Sequence, residues 1–331
     1  MGKFLALGEI MLRISNEAGT RMFSEPALKS YLGGGEANVA YSIAQYGVPT
    51  KYASIVPANP LGDSVLNTLG AVGVDVTEVY QDGPRLGTYY LELGSGARGA
   101  KAFYDRAYSS FALTEKLPWN FDELFADVEI FHLSGIVGAL SPAWLENVML
   151  LLAEAKKRGI TISFDSNYRA KLWSPQAAGN ALKRILPQVD ILSAGVKDAK
   201  YLLELDGIDL DDVAGAYEKY LQAFPNLKMI YSTTRTVISS EHNQLLGTLY
   251  LDGKLYQSQL HDIKPIVDRI GGGDAYAAGM LAQYYKKQDP QAMVEFATAA
   301  SHLKHTILGD MNQFNEKEVL DFMQSGGDVS R

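Results

Sequence analysis

Short apolar runs alternate along this chain with segments whose apolar residues recur every three to four positions. Apolar runs bounded by turn formers suit strands buried on both faces, and a period of about 3.6 residues suits the helices that cover them. The pattern predicts core strands at Phe4–Gly8, Lys51–Ile55, Ile130–Leu133, Thr161–Asp165, Ile191–Ser193, Met229–Ser232 and Gly247–Leu251. Helices are predicted at Glu36–Gln45, Pro60–Ala71, Pro142–Lys157, Ser174–Leu186, Asp211–Leu221, Asp274–Lys286 and Gln291–His305. Pro142 and Pro175 each follow a serine, the side chain that caps a helix followed by the residue whose fixed φ starts one. Such alternation is the mark of an α/β fold, a mostly parallel sheet with helices on both faces.

Two stretches break the rhythm. Residues 11–31 and 86–106 read as strands and turns without helical period. The second alternates through Thr88-Tyr89-Tyr90-Leu91-Glu92-Leu93, turns over Gly94–Gly99 and resumes at Ala102-Phe103-Tyr104, which predicts a hairpin. The expected organisation is therefore an α/β core of residues 1–10, 32–85 and 107–331 with a small, discontinuous β-sheet lid from 11–31 and 86–106. The exposed lid could also pair with a second copy, giving a homo-oligomer.

Composition narrows the function. A net charge of −8 argues against non-specific nucleic-acid binding, which needs a positive face. With no cysteine there is no disulfide, thiolate nucleophile or cysteine metal site. No stretch of apolar residues is long enough for a membrane span and the start reads as a strand, so a cytoplasmic protein is expected.

The strongest chemical signal is Asp268-Arg269-Ile270-Gly271-Gly272-Gly273-Asp274, running into a helix of small residues. Glycines bring backbone N–H groups close to a ligand, and a helix N-terminus attracts an anion. Asp274 at that mouth is placed to take a proton from a hydroxyl; a strand-to-helix turn capped by Asp274 is the plainer alternative. A second glycine turn, Gly33-Gly34-Gly35, leads to Asn38, whose amide can bond a polyol hydroxyl. Asp165, Asn167 and Arg169 alternate just past a buried strand, at the carboxyl end where open α/β sheets bind ligands. Tyr104 and Arg106 share a face of the lid. Two arginines, 106 and 169, converging from lid and core would select a carboxylate. By contrast, Gly94-x-Gly96-x-x-Gly99 precedes a strand rather than a helix, the wrong context for a dinucleotide fingerprint. A nicotinamide oxidoreductase is accordingly disfavoured.

Together the Asp268–Asp274 segment and the Gly33-Gly34…Asn38 turn resemble the paired signatures of the ribokinase-like, or PfkB, carbohydrate kinases. Within that family the chain is most similar to 2-keto-3-deoxygluconate kinases. That likeness rests on Asp165-Ser166-Asn167-Tyr168-Arg169 with Trp173, on Tyr104-x-Arg106-x-x-Ser109, and on Leu303-Lys304-His305-Thr306 with Gly309-Asp310. The resemblance implies a ribokinase-like α/β fold and phosphorylation of a small sugar acid by ATP with Mg²⁺, with a monovalent cation as a further cofactor. It implies Asp274 as base and the Gly271, Gly272 and Gly273 amides as anion hole. Gly34, Tyr89, Tyr104, Arg106 and Arg169 would hold the keto acid, and Thr233, Ala300 and Lys304 would lie near the nucleotide.

The chain departs from the pattern at three places. Gly272 stands where alanine is more usual, Gly195-Val196-Lys197-Asp198 replaces Asn-x-x-Glu, and Ser232-Thr233-Thr234-Arg235 replaces a glycine-rich nucleotide segment. Asp198 thus keeps only the acid of a motif associated with magnesium. That loss leaves open a catalytically impaired sugar-binding or sensing protein. A kinase for another ketose, such as fructose, is the reading if neither arginine faces the pocket.

Overall fold

The computed structural model describes residues 2–24 and 27–325. In chain order its strands are β1 (Lys3–Leu7), β2 (Met11–Ser15), β3 (Lys29–Gly33), β4 (Thr50–Val56), β5 (Asp75–Gln81), β6 (Gly87–Glu92) and β7 (Lys101–Asp105). They continue as β8 (Val128–Ser134), β9 (Thr161–Asp165), β10 (Ile191–Ser193), β11 (Met229–Ser239), β12 (His242–Leu251), β13 (Lys254–Gln257) and β14 (His261–Ile263). The large sheet has the order β13-β12-β11-β10-β9-β8-β1-β4-β5, with β14 on β12. From β11 through β5 every neighbouring pair is parallel; β12, β13 and β14 join antiparallel.

Strict side-chain alternation places a core on each face of this sheet. Leu5, Leu7, Phe131, Leu133, Ile162 and Phe164 pack to one side with Trp144 and Leu151 of the helix Pro142–Lys157. Phe4, Ala6, Tyr52 and Ile130 pack to the other with Ala277, Met280 and Leu281 of the helix Gly272–Tyr285. The helix starts follow their caps. Ser141 Oγ accepts the Trp144 N–H at 3.1 Å and Ser174 Oγ that of Ala177 at 3.1 Å, each with proline at the first helical position.

The interrupting segments form a separate four-stranded sheet in the order β3-β2-β6-β7. Its central pair, β2 and β6, is parallel and its outer pairs are antiparallel. β6 and β7 make the expected hairpin, with Ser95 bridging Arg98 across the turn. Met11, Tyr89, Leu91 and Leu93 close the inner face against Ile270 and Leu308 of the core.

Three features differ from the sequence expectation. β11 continues to Ser239 along β12 as a long hairpin whose residues 233–238 are exposed, so no burial period marks them. β5 is an edge strand of mixed polarity, and the helix Glu316–Ser325 buries only Val319. Weakly buried elements leave a weak periodic signal. Among the described residues no helix is long and apolar enough to cross a membrane.

Candidate active site

The site lies where β1 and β9 end and two helices, Gly35–Gln45 and Gly272–Tyr285, begin. The second helix starts from Gly271 in the left-handed region, φ 80°, a conformation glycine adopts without penalty. A side chain there would also strike the Asp310 carbonyl, 1.8 Å from the position a Cβ would take. The next position explains one departure from the family pattern. A Cβ on Gly272 would fall 2.4 Å from Cε1 of the buried His305 ring, whose Nδ1 lies 2.6 Å from the Ser301 carbonyl. Gly273 is exposed and faces open space. The first turn therefore presents N–H groups at a dipole's positive end, of which Gly272 N–H makes one long bond, to the Arg269 carbonyl at 3.4 Å, an arrangement suited to an anion.

Asp274, third in this helix, accepts a hydrogen bond from Asn38 Nδ2 at 2.7 Å. Asn38 in turn accepts the Gly34 N–H through Oδ1 at 3.3 Å, tying the two helix starts together. Gly34 has no room for a side chain, because a Cβ would sit 2.1 Å from the Glu9 carbonyl oxygen. Burial pushes the Asp274 carboxyl above the ordinary aspartate range, opposed by the Asn38 hydrogen bond and the positive charge of Arg169. A carboxylate so raised is a stronger base than an ordinary aspartate.

At the end of β9 the backbone bends through Asn167, φ 38°, whose N–H donates to Asp165 Oδ1 at 2.9 Å. A Cβ on Gly35 would lie 3.5 Å from Asn167 Nδ2 and 4.0 Å from Asp274 Oδ1, so these side chains line one small space. Arg169 is exposed and forms no ion pair among the described residues. Burial, and then the charge of Asp274, pushes Asp165 up to about 7. Because its folded-state value is raised, the stability it contributes is present in acid and lost as pH rises through about 7. Asp165→Asn should therefore raise Tm at about pH 9 more than at about pH 5. An equal change at both would show that Asp165 is not elevated.

On the lid side, Tyr89 is buried with its hydroxyl donating to Asp310 Oδ2, and its ring stacks on Tyr104 at 5.6 Å between centroids. Arg106 is buried and engaged: Nε donates to Glu9 Oε2 at 2.9 Å, and Nη2 also reaches that oxygen. Ser109 Oγ donates to the other Glu9 oxygen. Thus one of the two arginines meets an internal carboxylate while Arg169 meets none among the described residues.

Of the residues expected near a nucleotide, Thr233 is exposed on β11, whereas Ala300 and Lys304 are fully buried in the helix Pro290–Lys304. Lys304 Cε lies 3.3 Å from a Cβ placed on Gly271, directly beneath the glycine loop. Asp198 accepts the Gly195 N–H at 2.9 Å and Ser166 Oγ at 3.1 Å, and burial raises its pKa. It caps its own helix in the absence of the family's asparagine. Among the described residues no group of three or more His, Asp or Glu side chains could hold a metal. Mg²⁺ in phosphoryl-transfer sites needs few protein ligands, since substrate phosphates supply much of its shell, and a single carboxylate such as Asp198 fits that requirement.

The profile of the pfkB family carbohydrate kinases matches residues 1–317. The chain belongs to that family. This kinase is 31% identical over 328 residues to the 2-dehydro-3-deoxygalactonokinase of Haloferax volcanii, covering 98% of this chain and 97% of that protein. Its structure is similar to that of a PfkB family carbohydrate kinase from Listeria grayi, with TM-score 0.94, 43% identity and coverage of 97% and 99%. It is also similar to the 2-dehydro-3-deoxygluconokinase of Thermotoga maritima, with TM-score 0.93, 32% identity and 98% of each chain covered. The chain is thus a carbohydrate kinase with the ribokinase-like fold, as the paired signatures imply.

Three charged residues at the site escaped the sequence reading: Glu9, Arg13 and Asp310 as a partner of Tyr89. A charge inside an apolar run was the available signal, at Gly8-Glu9-Ile10 and Met11-Leu12-Arg13-Ile14. Alone, such a charge reads as the solvent face of a half-buried strand.

Proposed function

We propose that this kinase transfers the γ-phosphoryl group of ATP to the terminal hydroxyl of a 2-keto-3-deoxy sugar acid, 2-keto-3-deoxygluconate yielding its 6-phosphate. The observation that carries this reading is Arg169, an exposed cation without an ion pair among the described residues, close enough to lower the pKa of both Asp274 and Asp165. A cation left free beside the base suits a substrate that brings its own carboxylate. The names of the Haloferax and Thermotoga relatives support the same substrate class.

In this reading Asp274 takes the hydroxyl proton as the new O–P bond forms and the bond from phosphorus to the bridging oxygen of ADP breaks. The Gly271, Gly272 and Gly273 amides hold the charge on the transferring group. Gly34 lets the sugar approach the backbone, while Asn38 and Asn167 meet its hydroxyls. Tyr89 and Tyr104 wall the pocket, and Arg169 with the remaining N–H groups of Arg106 binds the carboxylate. Thr233 would lie near the nucleotide, with Ala300 and Lys304 buried behind that side of the site. Mg²⁺, held by Asp198 and the phosphates, would neutralise phosphate charge.

A neutral ketose such as fructose is the second reading, favoured by the commitment of Arg106 to Glu9. ATP turnover over 2-keto-3-deoxygluconate, 2-keto-3-deoxygalactonate, gluconate, fructose and ribose separates the two. Turnover confined to keto acids is the expected result, and preference for fructose would overturn the acid reading. Arg169→Ala should lower kcat/KM for keto acids by about 10- to 100-fold and for neutral ketoses much less. Equal losses would mean that Arg169 does not read the carboxylate.

A further inference from the structure

Arg13 lies on β2, one of the two central lid strands, with no solvent exposure. Its guanidinium spans two carboxylates of the core. Nη1 donates to Asp310 Oδ1 at 2.9 Å, and Nη2 lies 2.7 Å from Asp268 Oδ2. The ring of Tyr31, from β3, lies 5.0 Å from its centre, and Tyr89 of β6 donates to the second oxygen of Asp310. Two lid strands therefore reach one buried pair of acids, and a third covers the guanidinium between them.

Those acids brace the glycine loop. Asp268 opens it, accepting the Ile270 N–H at 3.0 Å and the Gly309 N–H at 3.1 Å. The main-chain carbonyl of Asp310 packs on Gly271 so closely that no Cβ fits between them. Nearby, the buried Lys304 amine reaches only the Ile307 carbonyl among the described residues, at 3.4 Å, so Arg13 supplies the direct ion pairs to both acids. Arginine's planar fork can engage two carboxylates at once, which a lysine's point charge cannot do with the same geometry.

We infer that Arg13 is a positioning residue that ties the lid to the Gly271–Gly273 loop, so that where the lid sits on the sugar sets where the amides sit on the phosphoryl group. The inference rests on the proposed roles of lid and loop. A shift of the lid relative to the core must either carry the loop with it or break two buried ion pairs, and such pairs resist breaking.

The test uses the full-length enzyme with Arg13→Met and Arg13→Lys. Amide hydrogen exchange over residues 268–274 should speed up about tenfold or more in Arg13→Met, with exchange in the helix Pro142–Lys157 unchanged. Per folded molecule, kcat should fall about 100-fold at nearly unchanged sugar KM. More ATP should be hydrolysed per sugar phosphorylated, and Arg13→Lys should fall between Met and wild type. Unchanged loop exchange, or an unchanged kcat per folded molecule, would overturn the link. If Arg13→Met does not fold, Asp310→Asn removes one of the two ion pairs and is read in the same way. Silence of the wild type on the sugar panel would refute the substrate reading alone, because exchange still decides whether Arg13 holds the loop.

Discussion

Replacing Asp274 with alanine is expected to lower kcat by about 10²- to 10⁴-fold while sugar affinity changes little. The carboxylate stands in the first turn of the helix Gly272–Tyr285, beside the amides of the glycine loop and held by Asn38 at 2.7 Å. A base contributes when the hydroxyl proton is in flight, so its removal falls on the chemical step rather than on binding. Burial raises the Asp274 pKa, so the acid limb of kcat/KM should lie above the ordinary aspartate range and steepen where Asp165, near 7, also titrates. Asp274→Asn keeps the side chain's shape and should lose both rate and that limb. Turnover of the alanine variant within a few-fold of wild type would remove the residue from the role of base.

Glu9→Gln should cost about 3–5 kcal/mol of stability, because it strips the charge from one partner of a buried pair. Glu9 and Arg106 are 3% and 8% exposed, and Ser109 completes the site around the carboxylate. Losing the negative charge strands a guanidinium between the end of β1 and the lid. Replacing both residues, Glu9→Gln with Arg106→Met, should recover most of the loss, since the apolar side chain no longer needs a counter-charge. Urea unfolding of the wild type, both single variants and the double variant measures this directly. Additive losses would show that the pair is not coupled. Recovered stability with lowered activity on keto acids would separate the structural role of Arg106 from its proposed role in binding.

The parallel core was legible because burial on both faces leaves unbroken apolar runs: Phe4-Leu5-Ala6-Leu7 is completely buried. The helix starts were legible from Ser141-Pro142 and Ser174-Pro175, whose caps are local chemistry. Asp274, Asn38, Asp165 and Asn167 could be picked out because each follows a glycine turn or a strand end, and the fold does bring them to one place. The outer hairpin strands, the edge strand β5 and the helix Glu316–Ser325 were lost or shortened, since exposed and edge segments bury too little for a period.

What the sequence by itself determined is the order of the buried core strands and the helices that cover them, the glycine loop and its acid, and the family those motifs mark. Each of these depends on residues near one another along the chain. Only the tertiary structure decided which charges are spent and which are free. Arg106 and Arg169 look equivalent in the sequence, yet one meets Glu9, 97 positions away, and the other meets no acid among the described residues. Arg13 reads as a strand's solvent face until it meets Asp310, 297 positions on. An ion pair depends on the distance between groups and the water between them. Folding sets both.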